Sequence, residues 1–485
     1  MPEILGIRIS KGMSSVEISD KGKTFELSAF QLYPDNETLI APRILNIENT
    51  KQVLEITFED GIKSHYDLSV LFHPEPELLI VNASQLLDFE NGNFSFIENG
   101  AVLIGGGKII KVGQTDDLLS EVDSLPSIEI IDACFKTVSP GLIDAHTHPV
   151  FAGDRSREFS MRLAGASYDE IQAAGGGIHN TVRKTREASD NTLFETAAGR
   201  ICESFLNGVT SCEAKSGYAL NFEDELRSLR IIQEVGGRTP CETSPTLLAA
   251  HIIPREFENR RQDYIKLITD SIIPAAVSAN LIKTVDVFCE ENAYTLEETS
   301  EIFRAASIAG VKVRVHAGQF NSLGAVKLAA EMKALSVDHL ENVSENEFEA
   351  LEKSETVAVL LPGAAFTLKM MQPDARKFIN RGIKVALATD MNPGTSMTCN
   401  LPLMMSFGCL QMNMTVEQTW EAVTVNAASA AGFDKKGRLK PGYDADIVIW
   451  NFDHYGMLPY YFGSRHVKSI IKKGKPVSQK VFTGV

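Results

Sequence analysis

Between residues 140 and 436, short apolar runs alternate with stretches in which apolar positions recur at helical spacing. The short runs are Gly141–Ile143, Val209–Ala214, Glu242–Ala249, Thr284–Cys289, Val311–Val315, Ser336–His339, Thr356–Leu361 and Lys384–Ala388. Each is too brief for a helix and is rich in residues that favour strands. Leu193–Asn207, Leu296–Ala309 and Leu323–Ala334 carry the helical pattern between them. Eight strands alternating with helices predict an α/β fold of the (β/α)8, TIM-like barrel class. The competing architecture is a doubly wound open sheet, disfavoured because no Gly-x-Gly-x-x-Gly follows the first strand.

The texture differs on both sides of this region. LLIVNASQLLDF, GAVLIGGGKIIKVG and IEIIDACFKTVSP precede it, and GRLKPGYDADIVIWN and SIIKKGKPV follow it. These β-branched runs broken by Gly, Asn and Asp predict one small β-sandwich domain assembled from residues 77–139 and 437–485, with the barrel at 140–436 between them. Gly105-Gly106-Gly107 has no following helix and no phosphate-loop Lys-Ser/Thr pair, so it reads as a tight turn. Residues 1–76 form a further β-rich extension. Val16-Glu17-Ile18 pairs with Phe25–Ser28 across Gly22, and Leu54-Glu55-Ile56 pairs with Tyr66–Ser69 across Gly61, each a hairpin pattern. Nothing in this extension points to chemistry.

Charge and cysteine usage narrow the function. A formal net charge of −16 argues against nucleic acid as a partner, since phosphate binding requires a basic face. Seven scattered cysteines without a Cys-x-x-Cys pair fit a reducing compartment, and the expected location is the cytoplasm. The N-terminus shows no basic segment leading into an apolar core, and no apolar run approaches membrane-spanning length.

In a barrel of this class, chemistry sits at the C-terminal ends of the strands. His146 and His148 end the first strand, Glu213 and Lys215 the second, His251 the third and Glu290 the fourth. His316 ends the fifth, His339 the sixth and Asp390 the eighth. Five of the ten histidines therefore fall at predicted strand ends, where independent structural roles would scatter them. His146 and His148 lie two apart and leave one face of their strand. With His316 and Asp390 they make a ligand set for one metal ion, zinc or iron in the divalent or trivalent state. Such an ion generates a hydroxide nucleophile near neutral pH, and Asp390 and His339 are the candidates to take its proton.

These residues lie within longer motifs: PGLIDAHTHPVFAGDRSREF, AAGGGIHNTVRKTREAS, EAKSGYAL, LLAAHIIP, VDVFCEE, DHLENVS and ATDMNPGTSMTCNLPL. On them, the chain from about residue 78 onward resembles the amidohydrolase superfamily, and within it the imidazolonepropionase family. The resemblance implies hydrolytic ring opening of 4-imidazolone-5-propanoate to N-formimino-L-glutamate in histidine degradation. It also implies a small-molecule substrate bearing a carboxylate, no membrane or nucleic-acid partner, and a homodimer. Arg155 and Tyr218 would bind that carboxylate, with Tyr168 beside them, and His251 would contact the ring. Asn392, Gly394 and Thr395 would hold the other end of the substrate.

One position departs from the pattern. Many members of the family carry His-Ala-Asp-Glu after the fifth strand, whereas here the run is His316-Ala317-Gly318-Gln319. An amide does not titrate, so Gln319 can orient the ring or the water but cannot act as a base. Proton transfer then rests on Asp390 and His339. Two other readings compete: a ring deaminase using the same metal ligands, and a barrel without catalysis that serves as a scaffold. Arg155 with Tyr218 opposes the first, since a neutral base needs no carboxylate clamp. The intact ligand set opposes the second.

Overall fold

Eight parallel strands form one sheet in sequential order: β1 (Leu142–Asp144), β2 (Val209–Lys215), β3 (Glu242–Ala250), β4 (Thr284–Cys289), β5 (Lys312–Ala317), β6 (Ser336–His339), β7 (Val357–Leu360) and β8 (Val385–Leu387). This computed structural model describes residues 75–478 apart from 91–92, 124, 126–127, 167–169 and 171–173, and the backbone of six strands before residue 75. The sheet curls until its ends meet. Thr147 pairs in parallel with Met391 just beyond β1 and β8. The amide of His148 donates to the Met391 carbonyl at 2.9 Å, and that of Asp390 to the His146 carbonyl at 3.1 Å. The barrel expected from the apolar pattern is thus the observed fold.

Side chains alternate along the strands, and the two faces differ sharply in character. Ile143, Cys212, Ala214, Leu247, Ala249, Val285, Val287, Val313, Val315 and Val337 are buried, on the faces that carry the hydrophobic cores. The intervening positions hold Asp144, Glu213, Lys215, Thr246, Asp286, Arg314, His316 and Asp338, all buried as well. Their contacts cross the lumen. Arg314 Nη1 lies 3.0 Å from Glu213 Oε1, Lys215 Nζ lies 2.7 Å from Asp286 Oδ2, and the hydroxyls of Thr246 and Thr284 are 2.6 Å apart. Barrels of this class are ordinarily filled with branched apolar residues; this one is filled with paired charges.

The segments on either side of the barrel share a seven-stranded sheet. Its order is Lys475–Val477, Val467–Lys472, Ile447–Trp450, Glu129–Pro140, Leu78–Glu90, Asn93–Gly105 and Lys108–Gln114. The join is antiparallel, with Val138 opposite Ile449. The buried Trp450 indole donates to Ser139 Oγ at 2.8 Å, and its ring presses on Gly208, where a Cβ would come within 2.7 Å of it. Gly208 also has φ +95°, so size and backbone conformation both call for glycine before β2. The chain divides into two units, Met1–Glu75 and Pro76–Val485. In the first, Gly6–Ile9, Ser15–Asp20 and Lys23–Ser28 form one antiparallel sheet, and Ile44–Thr50, Val53–Phe58 and Lys63–Asp67 form another. No helix among the described residues is long and apolar enough to cross a membrane.

Charge also ties the barrel to the shared sheet. Lys436 Nζ lies 2.7 Å from Asp446, 2.8 Å from Asp444 and 3.2 Å from Glu242 at the start of β3. Lys472 Nζ bonds Asp446 at 2.7 Å and the Thr210 carbonyl at 2.8 Å. Burial raises the Glu242, Asp444 and Asp446 carboxyls, but the lysines beside them outweigh burial and hold all three below the usual carboxylate range. Lys436→Met strips the shared ammonium from this group and is expected to cost about 3 kcal/mol in urea unfolding. Lowered carboxylate pKa values contribute stability that is complete above the unfolded-chain pKa and lost as pH falls through the folded values. The wild-type urea midpoint should therefore fall below about pH 4, and the Met variant should show a smaller fall.

Candidate metal centre

β1 ends in an alternating run that sends Asp144, His146 and His148 to one side. Of these, His146 is fixed most tightly. Its Nδ1 lies 2.6 Å from Asp338 Oδ2 on β6, and the carboxylate can only accept, so Nδ1 carries the hydrogen and Nε2 the lone pair. His316, on β5, is set the same way by Asp286 on β4, at 3.1 Å. The two free Nε2 atoms and that of His148 converge: His146 to His148 is 3.1 Å, and His148 to His316 is 3.5 Å. Asp390 Oδ1 closes the group at 3.4 Å from His146 and 3.5 Å from His148.

Such a cluster fits a divalent cation. At least two of the three nitrogens present lone pairs to one another and to a carboxylate oxygen, an arrangement that repels unless positive charge lies among them. Burial, followed by neighbouring Lys215 and His316, pulls the His146 and His148 pKa values well below the usual imidazole value, so both are neutral and able to ligate. Three nitrogens and one oxygen form a borderline-soft set suited to zinc and to ferrous iron. Two of the site residues hold backbone conformations that side chains rarely adopt: Asp390 has φ 50° and His339 φ 89°. For Asp390 the closure of the barrel imposes it, through the bond from its amide to His146.

The cluster forms the floor of a cavity of about 500 Å³. Arg155, Tyr218, His251, Gln319, His339, Asn392, Gly394 and Thr395 line it, with Phe288 on one wall. Arg155 is anchored by its Nε–H to Thr181 Oγ1 at 3.0 Å, and it lies so close to Gly394 that a Cβ there would be 2.7 Å from Nη1. Tyr218 packs edge-on against Phe151 at 5.9 Å, and burial pushes its phenol well above the usual value, so it is a neutral donor. His251 stacks on His148 at 5.6 Å and gives its Nδ1–H to the Gly217 carbonyl at 2.9 Å. Burial, with His316, lowers its pKa to about 3, which leaves Nε2 as a fixed acceptor.

The loop after β8 is shaped by Asn392. Its Oδ1 accepts from the amides of Gly394 and Thr395, both at 2.8 Å, and its Nδ2 donates to the Asp390 carbonyl at 2.7 Å. Asn392 is thus spent on holding the loop, while Thr395 Oγ1 reaches Asp390 Oδ2 at 3.5 Å. Burial raises the Asp390 carboxyl to about 7, against the pull of His339 and Asn392. The predicted site residues therefore line one cavity, except His146, which lies beneath it against His148 and Asp390, and Tyr168, which lies outside the described residues.

Three carboxylates that matter here escape a reading confined to strand ends. Asp286 and Asp338 lie one layer deeper and orient His316 and His146. The available signal was alternation: Asp286 falls two before Phe288 on β4, and Asp338 two after Ser336 on β6. The third is Glu341. Its side chain is 2% exposed and lies 3.8 Å from His339 Nδ1, with no hydrogen-bond partner for either oxygen among the described residues. Burial opposes charge on His339, but Glu341, Asp390 and Asp338 outweigh it and raise the imidazole pKa. Carboxylates that orient ligating histidines set metal affinity. Asp338→Ala is expected to weaken zinc binding roughly 10- to 100-fold, read by competition against a chromogenic chelator.

Comparison with known proteins agrees with this geometry. The sequence profile of the amidohydrolase family matches residues 137–477. Imidazolonepropionase of Geobacillus kaustophilus is 42% identical over 398 residues, covering 82% of this chain and 94% of that protein. Imidazolonepropionase of Clostridium tetani is 38% identical over 415 residues, covering 84% and 99%. Among solved structures, a zinc-bound adenosine deaminase from Xanthomonas campestris superposes with a TM-score of 0.64 at 16% identity, covering 85% of this chain and 97% of its own. An atrazine chlorohydrolase variant from Arthrobacter aurescens, complexed with zinc and atraton, gives 0.66 at 14%, covering 84% and 98%. The two structures share the fold.

Proposed function

The chain belongs to the amidohydrolase family and, within it, to the imidazolonepropionases, and from that membership we propose how its barrel mouth hydrolyses 4-imidazolone-5-propanoate to N-formimino-L-glutamate. The observation that carries the reading is a three-histidine, one-aspartate cluster that opens through His148, His316 and Asp390 into a cavity lined by an arginine able to clamp a carboxylate. Family and donor set together support a divalent metal. His146, His148, His316 and Asp390 would hold the ion, which would supply Lewis acidity and make water nucleophilic near neutral pH. The set suits zinc and ferrous iron alike, and elemental analysis of the purified protein distinguishes them.

The chain's own residues do the rest. Arg155, fixed by Thr181 and set against Gly394, meets the propanoate in a bidentate pair, and Tyr218 donates its phenol hydrogen to the same anion. That anchor leaves the ring over the histidine cluster. His251 Nε2 accepts from a ring N–H, which orients the carbonyl carbon toward the cluster. Ring opening breaks the bond from that carbon to the adjacent nitrogen, so the attacking water loses a proton and the departing nitrogen gains one. Asp390, bonded by Thr395 through its second oxygen, takes the proton. His339, backed by Glu341, faces the same space and hands a proton to the nitrogen. Gln319 orients substrate through its amide and carries no proton.

Loss of metal to a chelator is expected to abolish ring opening, and addition of zinc or ferrous iron under anaerobic conditions to restore it. Arg155→Ala should raise KM by about 10- to 100-fold, the worth of one charge-assisted pair, with a smaller change in kcat. Asp390→Asn should nearly abolish turnover, since it removes a ligand and a proton acceptor together. An unchanged KM in Arg155→Ala, or faster turnover of guanine or cytosine than of the imidazolone, would overturn the assignment.

A further inference from the structure

Behind the histidine cluster lies a second group of donors. One oxygen each of Asp286 and Asp338 and one nitrogen of His316 lie within 4.8 Å of one another, all buried, in an arrangement that could hold a cation of its own. His316 belongs to both groups, its Nε2 facing the first and its Nδ1 the second, so an ion at the second position would displace the hydrogen that Asp286 now accepts. The second position is already taken by a side chain. Lys215, fully buried at the end of β2, sets its Nζ 2.7 Å from Asp286 Oδ2, 3.7 Å from Asp338 Oδ2 and 3.0 Å from Glu213 Oε1.

We propose that Lys215 is a built-in cation that occupies the second metal position of this barrel and thereby confines it to a single ion. The inference rests on the assignment of His146, His148, His316 and Asp390 as ligands, and it goes further by fixing how many ions the lumen accepts. Glu213, Asp286 and Asp338 are buried carboxylates that neither solvent nor surface lysines reach, and an unpaired buried charge is costly. Arg314 balances Glu213 at 3.0 Å and is otherwise committed to the carbonyls of Ala145 and Ala430. Lys215 sets one further positive charge between Asp286 and Asp338, which also accept from the Nδ1–H groups of His316 and His146. The ammonium donates to Glu213 and Asp286 and faces Asp338 as an ion pair at 3.7 Å. It thereby acts as a positioning residue as well: the two aspartates it holds are those that orient His316 and His146.

The test is zinc stoichiometry and affinity in the full-length protein, measured by elemental analysis after gel filtration in excess zinc and by chelator competition. Circular dichroism checks that each variant is folded. Wild type should hold one zinc per chain. Lys215→Ala removes the charge and opens the space, and it should hold two. Lys215→Met removes the charge but fills the space; it should hold one, bound roughly 10- to 100-fold more weakly because the orienting carboxylates are released. Two ions in the wild type would overturn the proposal. So would one ion in folded Lys215→Ala, or wild-type affinity in Lys215→Met. Should Lys215→Ala fail to fold, the Met variant and the wild-type count still decide. Wild type holding no zinc would instead sink the ligand assignment itself, and this proposal with it, a result distinct from all the others.

Discussion

The constraint on which the structure depends is that each charge buried in the lumen must meet opposite charge or hydrogen-bond donors within the lumen itself. Water cannot screen a carboxylate buried between eight strands, and the desolvation cost amounts to several kcal/mol per ion. Glu213, Asp286 and Asp338 are acceptable there because Lys215 and Arg314 lie among them. Removal of any one member leaves its partners uncompensated, so the group is held together by mutual need. The mouth of the barrel inherits this rigidity. His146 and His316 cannot rotate without breaking contacts to Asp338 and Asp286, and those aspartates cannot move without stranding Lys215.

Closure of the barrel adds a second restraint at the same level. Strands β1 and β8 meet beyond their regular ends, where the main chain of residues 146–148 bonds that of residues 390–391. Below this seam, Asp144 accepts from the amide and hydroxyl of Thr389 at 3.1 and 2.6 Å. The first and last members of the cluster are thus brought together by the same bonds that complete the sheet. Asp390 holds its unusual backbone conformation because those bonds leave it little choice.

Much of this was legible in the sequence, and what was not has a physical reason. Apolar runs at strand length located all eight strands to within a few residues, because outward-facing Val, Leu, Ile and Ala must cover a sheet packed by helices. Strand-end histidines pointed to the mouth for a similar reason, since few structural roles place so many imidazoles at one end of a barrel. The lumen was harder to read. Alternation of Asp286 with Val285 and Val287, or of Arg314 with Val313 and Val315, marks an inward polar face, yet nothing local says which carboxylate meets which cation. Those pairings join β2 to β4, β5 and β6, and only closure of the barrel brings them together. Asn392 shows the other limit: its residue type fits substrate binding and loop shaping equally, and in the fold its amide is consumed by the loop. His339 and Glu341 meet only because the chain turns at a positive φ, a feature that no residue pattern announced.

The sheet shared by both flanks bears on how the chain acquires its structure during synthesis. Strand Glu129–Pro140 is made before the barrel, but one of its neighbours, Ile447–Trp450, is made after it. Until that late segment leaves the ribosome, the edge of the early strand lacks a partner and the space beside Gly208 lacks its indole. An exposed strand edge invites pairing with other chains. The nascent protein therefore passes through an interval in which its barrel sequence is complete but its flank is open. Premature termination anywhere between residues 437 and 446 would leave every proposed metal ligand in the chain and still yield a product prone to associate with itself.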